Sequence, residues 1–331
     1  MRCMVLRRLG APLEGEDRPP PAPGPGEVRI DVEACGVCRT DVHIVDGEVP
    51  ARLPVVPGHQ AAGRVSAAGP GVSGWSIGDP VGVGWLHSTC GACRFCSAGR
   101  ENLCPDARFT GRDVDGGFAG AMLADARFVY RLPASLPAID AAPLLCAGII
   151  GYRALRLSEI KPGRRLGLIG FGASAHLAIQ VALHWGCEVY AFTREEHHRR
   201  LALDLGAAWA GDAAEAPGVP LDAAVIFAPA GDLVPRALAL LDRGGTLAVN
   251  AIHMSAIPSF PFDALYHERT VRSVANFTRR DAEEFLSLAA TIPVRANVER
   301  YDLEEADVAI GRVRRGEVHG AAVVDTRAHA G

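Results

Sequence analysis

The feature that most constrains this chain is a group of four cysteines within fifteen residues. Their spacing is C-x2-C-x2-C-x7-C, at Cys90, Cys93, Cys96 and Cys104. A structural zinc ion takes four such ligands in a tetrahedron, and C-x2-C turns bring successive sulfur atoms to one point. We therefore predict a zinc site that is closed by four protein ligands and is structural.

The cluster has two other possible interpretations. Disulfides or free buried thiols are disfavoured, because the first ten residues lack the apolar run of a signal peptide and nine cysteines are an odd number. The cytoplasm is therefore the expected location. A nucleic-acid-binding zinc module calls for an excess of Lys and Arg, whereas Glu101 and Asp106 flank the few arginines here.

Charge and hydropathy exclude further classes of partner. The net charge of −4 and the pI near 6.3 give no general attraction to nucleic acid or to anionic membranes. We found no stretch with the roughly 18 uncharged apolar residues of a membrane span. The expected partner is a small molecule, and neither nucleic acid nor a membrane.

A chain of 331 residues is long enough for two domains, and the sequence changes character along its length. In Glu27–Glu33 every second residue is apolar, which is the pattern of a half-buried strand, and short strands follow at 63–67 and 80–85. Residues 1–147 are therefore predicted to form an all-β domain, barrel-like or sandwich-like, that carries the cysteine cluster.

Strands and helices alternate from residue 148 onward, which indicates a parallel sheet with crossover helices. The predicted strands are 166–169, 188–192, 221–227, 246–251 and 270–275, and the predicted helices are 175–185, 195–205 and 233–241. This second domain is expected over residues 148–278. Residues 279–331, with a helix at 281–290 and a strand at 321–324, are too few for a core of their own and are expected to return to the first domain.

Four metal-binding side chains lie outside the cluster, at Cys35, Cys38, His59 and Cys146. Lone cysteines are more often small buried hydrophobic residues than ligands. Their contexts are more specific: CGVCRTDVH, PGHQAAG and LLCAG.

With these motifs in this order, the chain resembles the zinc-dependent alcohol dehydrogenases of the medium-chain dehydrogenase/reductase superfamily, from about Val5 to Val324. The resemblance implies an α/β protein in which a GroES-like, β-rich catalytic domain precedes a Rossmann coenzyme domain with a doubly wound parallel sheet. It also implies a second, catalytic zinc ion held by Cys38, His59 and Cys146, with one position open for water or alcohol. Cys35 then has no ligand role.

The resemblance implies roles for neighbouring residues as well. Asp41 matches the carboxylate that orients the liganding histidine, Thr40 matches the hydroxyl that takes the alcohol proton, and His43 matches the histidine that passes this proton to solvent. Gln60 departs from the family, which has Glu directly after the liganding histidine. We hypothesise that the missing negative charge makes bound alcohol lose its proton more readily.

A glycine-rich turn follows the strand at 166–169 and opens a helix. Gly170, Gly172 and Ala175 form G-x-G-x-x-A, with Ala173 and Ser174 completing the turn. Such a turn lets a pyrophosphate approach the backbone and places it at the N-terminus of the helix. The position of the motif between strand and helix predicts a nicotinamide dinucleotide site.

The choice of coenzyme depends on the end of the next strand, where NAD enzymes carry Asp or Glu. This chain has Thr193 and Arg194, which could bind a 2′-phosphate and favour NADP over NAD. The following Glu195 and Glu196 could instead repel a phosphate or hold a ribose. The other candidate coenzyme contacts are Arg39 by resemblance, and Ile252 and Asn276 from strand-end geometry.

Trp85 and Leu86 match positions that line the alcohol pocket in related enzymes. A tryptophan there leaves little room, which favours small or unbranched primary alcohols and aldehydes. The alternative is that Trp85 closes a strand against the core.

The predicted function is reversible hydride transfer between a small alcohol and NAD(P), with two zinc ions per chain in a homo-oligomer, dimer or tetramer by resemblance. An aldehyde reductase acting mainly in the NADPH-consuming direction would have the same residues. A zinc-free quinone or enoyl reductase would lack the three catalytic ligands. A non-catalytic zinc and nucleotide sensor would bind zinc at the cysteine cluster alone.

Overall fold

The computed structural model describes residues 1–215, 217–292 and 294–327, and the chain divides into two compact units. The first unit comprises Met1–Cys146, Asn276–Ala290 and Arg295–Gly331. The second unit comprises Ala147–Ala275 and Thr291–Val294. The first unit is therefore built from both ends of the chain.

The helices and strands are numbered in chain order. The strands are β1 (Arg2–Val5), β2 (Glu14–Asp17), β3 (Glu27–Val37), β4 (Gln60–Ala68), β5 (Pro80–Val83), β6 (Leu86–Ser88), β7 (Arg108–Phe109), β8 (Ala121–Asp125), β9 (Val129–Arg131), β10 (Arg165–Ile169), β11 (Glu188–Phe192), β12 (Trp209–Gly211), β13 (Leu221–Ile226), β14 (Leu241–Val249), β15 (Thr270–Ser273), β16 (Val298–Asp302) and β17 (Ala321–Asp325). The α-helices are α1 (Arg39–Val45), α2 (Arg94–Ser97), α3 (Ala138–Ala141), α4 (Ala147–Leu157), α5 (Ala173–His184), α6 (Glu196–Asp204), α7 (Leu233–Leu240), α8 (Arg279–Thr291) and α9 (Ala306–Arg315). Short 3-10 helices lie at Glu101–Leu103, Ala126–Phe128, Ala142–Leu145, Phe262–Ala264 and Leu303–Glu305.

The main sheet of the first unit has seven strands in the order β16-β17-β3-β4-β5-β9, with β8 also paired to β3. All pairs are antiparallel except β16 with β17. The alternation that predicted β3 is confirmed, because Val28, Ile30 and Val32 are buried while their neighbours are more exposed. This face carries the core of the unit.

The expectation of an all-β first domain is wrong at α1. Cys38 has extended backbone angles, and its N–H donates to the Asp41 carboxylate (2.8 Å), which fixes the first turn of the helix. The negative charge of Asp41 in the first turn also interacts favourably with the positive end of the helix dipole. The helix begins directly after β3, so the buried strand leads straight into it.

The second unit has six parallel strands in the order β12-β11-β10-β13-β14-β15, which confirms the predicted parallel sheet. The strand order reverses between β10 and β13, the place where such sheets bind ligands. Phe192, Leu221, Leu238 and Leu247 are among the buried residues of its core. β14 begins at Leu241, five residues before the predicted strand, because Leu241 already pairs with Leu221.

The end of the chain joins the main sheet of the first unit. β17 pairs with β3, with Val324 opposite Cys35, and β16 adds a further strand beside β17. β16, α9 and the three-residue β12 were not predicted from the sequence. Their segments are short or highly charged, so apolar periodicity is weak in them.

One helical stretch, Ala138–Leu157, is long and apolar enough to be considered as a membrane span, although no span was expected. Its most apolar window is 67% buried, and the stretch contains Asp140, Arg153 and Arg156. Core helices meet the same criterion, so this stretch is weak evidence for a membrane.

Candidate active site

Three predicted ligands of the catalytic zinc come together in the first unit. Cys38 precedes α1, His59 precedes β4, and Cys146 follows the 3-10 helix Ala142–Leu145. Their ligand atoms all lie within 4.8 Å of one another. Segments more than a hundred residues apart in sequence thus meet at one point.

Asp41 organises this cluster although it is not a ligand. Its fully buried carboxylate accepts hydrogen bonds from the backbone N–H groups of Cys38 (2.8 Å) and Gly58 (3.2 Å). The same carboxylate lies 3.1 Å from Nδ1 of His59. Because a carboxylate accepts hydrogen bonds, Nδ1 carries the ring proton and Nε2 is the nitrogen left for a metal.

Nε2 of His59 is buried and finds no hydrogen-bond partner among the described residues. A buried polar atom without a partner is costly unless something else satisfies it. Two thiols and one imidazole are the donor set of a catalytic zinc site with an open position. The three residues therefore fit a zinc ion.

The charges of the cluster also suit a cation. Burial opposes protonation of His59, but the Asp41 carboxylate and the Cys38 thiolate outweigh it and raise the pKa of His59 to about 10. A hydrogen bond from Cys146 lowers the pKa of the Cys38 thiol. The site therefore holds negative charge that attracts protons when no metal neutralises it, and zinc binding is expected to release them.

The turn before His59 requires glycine. Gly58 has a φ of +91°, and a Cβ there would come within 2.7 Å of the Phe118 ring and 2.8 Å of Cys35 Sγ. Cys35 is fully buried, and burial raises the pKa of its thiol well above the ordinary value. It packs against this turn as a neutral thiol.

Thr40 and His43 lie on α1, three residues apart and so on one side of the helix. Both are buried, and Thr40 Oγ1 lies 3.7 Å from Cys38 Sγ. Nδ1 of His43 contacts the Glu48 carboxylate. Glu48 was not singled out from the sequence, where an acidic residue five positions after a histidine carries no recognised signal.

Gln60, the departure from the family pattern, begins β4 and is buried. It pairs with Gly36 on β3, where a Cβ would come within 3.0 Å of the Gln60 amide carbon. The Gln60 side chain therefore packs against the backbone of Gly36, and Gln60 directly follows His59 in sequence.

Trp85 stands beside the ligand cluster. Its ring meets the His59 ring edge to face at 4.9 Å and stacks on Phe109 at 5.0 Å. Leu86 is fully buried. Phe109, which was not predicted from the sequence, limits the movement of the tryptophan ring.

The four clustered cysteines form a second candidate metal site. Their Sγ atoms lie within 4.8 Å of one another, with separations of 3.5 Å for Cys93–Cys96, 3.5 Å for Cys90–Cys104 and 4.0 Å for Cys90–Cys96. Zinc–sulfur bonds of about 2.3 Å in a tetrahedron give sulfur separations of about 3.8 Å. All nine cysteines are free, so the cluster fits zinc and contains no disulfide.

The predicted dinucleotide turn joins β10 to α5 in the second unit. Gly172 precedes the first residue of α5 and is exposed, and a Cβ there would meet no atom within 4 Å. Ala173 and Ser174 are half-buried and Ala175 is fully buried, while a Cβ on Gly170 would press on Ala228 at 2.9 Å. The open space at the helix N-terminus fits a pyrophosphate.

The end of β11 carries the residues that bear on coenzyme choice. Thr193 is buried and its N–H donates to the Gly211 carbonyl (2.8 Å), whereas Arg194 is exposed. Arg199, which was not predicted from the sequence, donates from Nε to the Thr193 carbonyl (2.9 Å). Glu196 forms an ion pair with Arg200 (3.4 Å), which takes up part of the local negative charge.

The other three candidate coenzyme contacts lie apart in the chain. Ile252 is 52% exposed in the second unit. Asn276 has a φ of +56°, lies shortly after β15 as expected, and groups with the first unit. Arg39 is exposed and donates from Nη1 to the Arg314 carbonyl (3.0 Å).

Comparison with known proteins agrees with this picture. Two family descriptions match the chain, "Alcohol dehydrogenase GroES-like domain" over residues 24–134 and "Zinc-binding dehydrogenase" over residues 175–291. The "Probable alcohol dehydrogenase AdhA" of Mycobacterium tuberculosis is 49% identical over 98% of this chain and 97% of its own length.

Solved structures give the same result. The cinnamyl alcohol dehydrogenase SbCAD4 from Sorghum bicolor has a TM-score of 0.91 at 31% identity, covering 98% of this chain and 97% of that one. The CAD from Helicobacter pylori, complexed with NADP(H), has a TM-score of 0.89 at 26% identity, covering 99% of both chains. The similarity spans both units.

Proposed function

Since the chain belongs to the zinc-dependent alcohol dehydrogenases of the medium-chain dehydrogenase/reductase superfamily, we propose that it interconverts small primary alcohols and aldehydes with NADP as coenzyme. The protein is an oxidoreductase that acts with zinc and a nicotinamide coenzyme. The observation that carries the proposal is the Cys38–His59–Cys146 cluster, with a buried, unpartnered His59 Nε2 among the described residues.

Each residue of the cluster has a part in the proposed reaction. Cys38, His59 and Cys146 would hold the catalytic zinc, and Asp41 keeps the His59 ring turned toward it. The bound zinc would supply polarisation of the alcohol oxygen, and the bound nicotinamide would supply a hydride acceptor. Thr40 would accept the alcohol proton at Oγ1 and release its own hydroxyl proton in exchange, and His43 would pass the released proton to solvent.

The zinc at Cys90, Cys93, Cys96 and Cys104 is proposed to be structural, since four protein ligands leave no position for substrate. We expect two zinc ions per chain by metal analysis of the purified protein, together with NAD(P)-dependent alcohol oxidation. One zinc ion and no turnover with any alcohol or aldehyde would favour the sensor and contradict the enzyme.

NADP is proposed over NAD because Thr193 and Arg194 stand where an acidic residue would hold a ribose. Arg199, bound to the Thr193 carbonyl, adds a second positive charge nearby. The ratio of kcat/KM for the two coenzymes tests this preference. A tenfold preference for NAD would contradict it.

A small primary substrate is proposed from Trp85, which is held between the His59 and Phe109 rings. A panel of linear, branched and aromatic alcohols and aldehydes, assayed in both directions at fixed pH, tests the size limit. The same panel separates an alcohol dehydrogenase from an aldehyde reductase that acts mainly with NADPH. Equal kcat/KM for primary and bulky secondary alcohols would contradict the proposal.

Gln60 is proposed to ease loss of the alcohol proton, because it brings no negative charge beside His59. The Gln60→Glu variant should show a pH profile of turnover displaced to higher pH, with zinc content unchanged. Superimposable profiles of the native protein and this variant would contradict the role.

We further propose a cytoplasmic homo-oligomer, dimer or tetramer. Free cysteines arranged as zinc ligands suit a reducing compartment. β15 lies at one edge of the parallel sheet with all four residues exposed, and an uncovered strand edge readily pairs with another chain. Light scattering with size-exclusion chromatography gives the mass in solution.

A further inference from the structure

We propose that Glu48 is a positioning residue for the proton relay: it holds the His43 ring in place and fixes its proton on Nδ1, which leaves Nε2 as the basic nitrogen. This inference rests on the proposed function, in which His43 receives the alcohol proton. It assigns to Glu48 a part that the family motifs do not include.

The chain folds back on His43 directly after α1. Asp46 N–H donates to the Val42 carbonyl (2.9 Å) and closes the helix, and Gly47, with a φ of +82°, reverses the chain. The backbone N–H of Glu48 then donates to the carbonyl of His43 itself (2.9 Å). The turn therefore brings Glu48 back beside the residue five positions before it.

Glu48 holds His43 a second time through its side chain. One carboxylate oxygen contacts Nδ1 of the His43 ring. The backbone of Glu48 thus holds the main chain of His43, and the side chain of Glu48 holds the His43 ring. A ring held at two points has less rotational freedom, which favours a defined direction for the opposite nitrogen.

The chemistry of the contact decides where the ring proton lies. An ionised carboxylate only accepts hydrogen bonds, so Nδ1 of a neutral His43 is the protonated nitrogen and Nε2 carries the lone pair. A proton that arrives at Nε2 is therefore received on the side of the ring that faces away from Glu48. His59 has the same arrangement, with the Asp41 carboxylate 3.1 Å from its Nδ1.

The two pairs differ in burial, and this makes Glu48 testable. Asp41 is fully buried, whereas the side chain of Glu48 is 48% exposed. Because the Glu48 side chain is partly in solvent, its replacement does not open a cavity in the protein core. The variants are expected to fold and to keep both zinc ions.

The experiment compares Glu48→Ala and Glu48→Gln with the native zinc-loaded enzyme. We expect kcat for alcohol oxidation to fall about tenfold in Glu48→Ala and about threefold in Glu48→Gln, because Gln keeps an acceptor oxygen but loses the charge. The matched control is Glu33→Gln on β3, whose partner is Arg64 (3.0 Å) and not a histidine. It should have the native kcat.

A double-variant comparison separates positioning from general damage. In a His43→Ala background, Glu48→Ala should cause no further loss, because Glu48 acts through the ring that has been removed. Histidine-selective ¹⁵N NMR of the zinc-loaded protein, assigned with His43→Ala, should show the Nδ1–H form of His43 in the native protein. This form should decrease in Glu48→Ala.

The outcomes distinguish the two levels of the proposal. A native protein that oxidises no alcohol contradicts the proposed function. An active native protein whose rate falls in His43→Ala but not in Glu48→Ala contradicts the role of Glu48 alone. So does an equal further loss from Glu48→Ala in the His43→Ala background, or an unchanged His43 tautomer in Glu48→Ala.

Discussion

At the residue scale, single carboxylates fix the geometry of the candidate active site. Asp41 binds the first turn of α1, the turn at Gly58 and the ring of His59, although these belong to separate segments. One side chain thereby sets the relative positions of two of the proposed zinc ligands, Cys38 and His59. Loss of the Asp41 carboxylate should therefore weaken metal binding more than it disturbs the fold of the rest of the protein.

We expect Asp41→Asn to weaken binding of the catalytic zinc by about 10–100-fold, because an amide can present a donor to Nδ1 and disturb the ring orientation. Competition with a zinc chelator, followed by metal analysis, gives the affinity. The control is Asp31→Asn on β3, whose side chain is exposed. Retention of both zinc ions by Asp41→Asn at native affinity would contradict the role assigned to this carboxylate.

His176 gives a prediction about pH. Burial disfavours its charged form, the carbonyls of Gly172 and Ala173 offset only part of this, and its pKa is lowered to about 4. The unfolded chain, with a histidine pKa of about 6.5, therefore binds the extra proton first, and stability falls as the pH drops from about 6.5 toward 4.

Between pH 7 and pH 5 the native protein should lose about 2 kcal/mol of unfolding free energy that a His176→Leu variant keeps. Urea unfolding at both pH values measures the difference. His184→Gln, exposed at the other end of α5, is the matched control and should follow the native protein. Equal losses in the native and His176→Leu proteins would refute the assignment.

At the element scale, polar residues decide where the helices of the first unit begin. Thr278 stands before α8 and exchanges hydrogen bonds with Asp281: the Thr278 N–H (2.8 Å) and hydroxyl (2.6 Å) donate to the carboxylate, and the Asp281 N–H lies 3.2 Å from Thr278 Oγ1. Both side chains are buried. The backbone groups at this helix start are therefore satisfied inside the protein.

We expect Thr278→Val, which keeps the shape but removes the hydroxyl, to lower the unfolding free energy by about 1–2 kcal/mol. The measurement is urea unfolding of the zinc-loaded protein. Glu283→Ala, an exposed position on the same helix, should change it by less than about 0.5 kcal/mol. Equal effects of the two variants would count against the cap.

Motifs and periodicity predicted about half of the strands and helices, and not their exact starts. The alternation in β3 and the parallel strands of the second unit were evident because burial on one or both faces leaves an apolar pattern. α1, α9 and β16 were missed, because apolar periodicity is weak in segments that are short or highly charged. The start of α1 is fixed instead by the hydrogen bond from the Cys38 N–H to Asp41 (2.8 Å).

The residues of the candidate site also fall into two groups, those that the sequence predicted and those that it did not. Family motifs predicted the residues whose ligand atoms meet, Cys38, His59 and Cys146. Glu48, Phe109 and Arg199 could not be predicted, because each acts through a contact that chain folding creates, with no fixed spacing in sequence. The membership of the alcohol dehydrogenase family, the two-part α/β fold and the zinc and nicotinamide cofactors were predicted from the sequence and are confirmed.

At the scale of the whole molecule, the second unit presents an exposed sheet edge. All four residues of β15 are exposed, and Phe262 and Tyr266, in the segment before it, are 71% and 64% exposed. Exposed aromatic side chains beside an unpaired strand are typical of an association surface.

We expect Val271→Arg, in the middle of β15, to shift the protein from oligomer to a smaller species at micromolar concentration. Light scattering coupled to size-exclusion chromatography measures the mass. Val308→Arg on α9 introduces the same charge at an exposed valine of the first unit and should leave the mass unchanged. Unchanged mass in Val271→Arg would show that β15 is not the contact.

The pairing of β17 with β3 has a consequence for synthesis on the ribosome. The strand that leads into Cys38 lies between β4 and a partner, β17, that is translated almost three hundred residues later. All six strands of the second unit, by contrast, lie in the continuous stretch Ala147–Ala275 and can pair as soon as that stretch has emerged. During translation the amino-terminal part therefore keeps an open sheet edge until the last strand of the chain has been made.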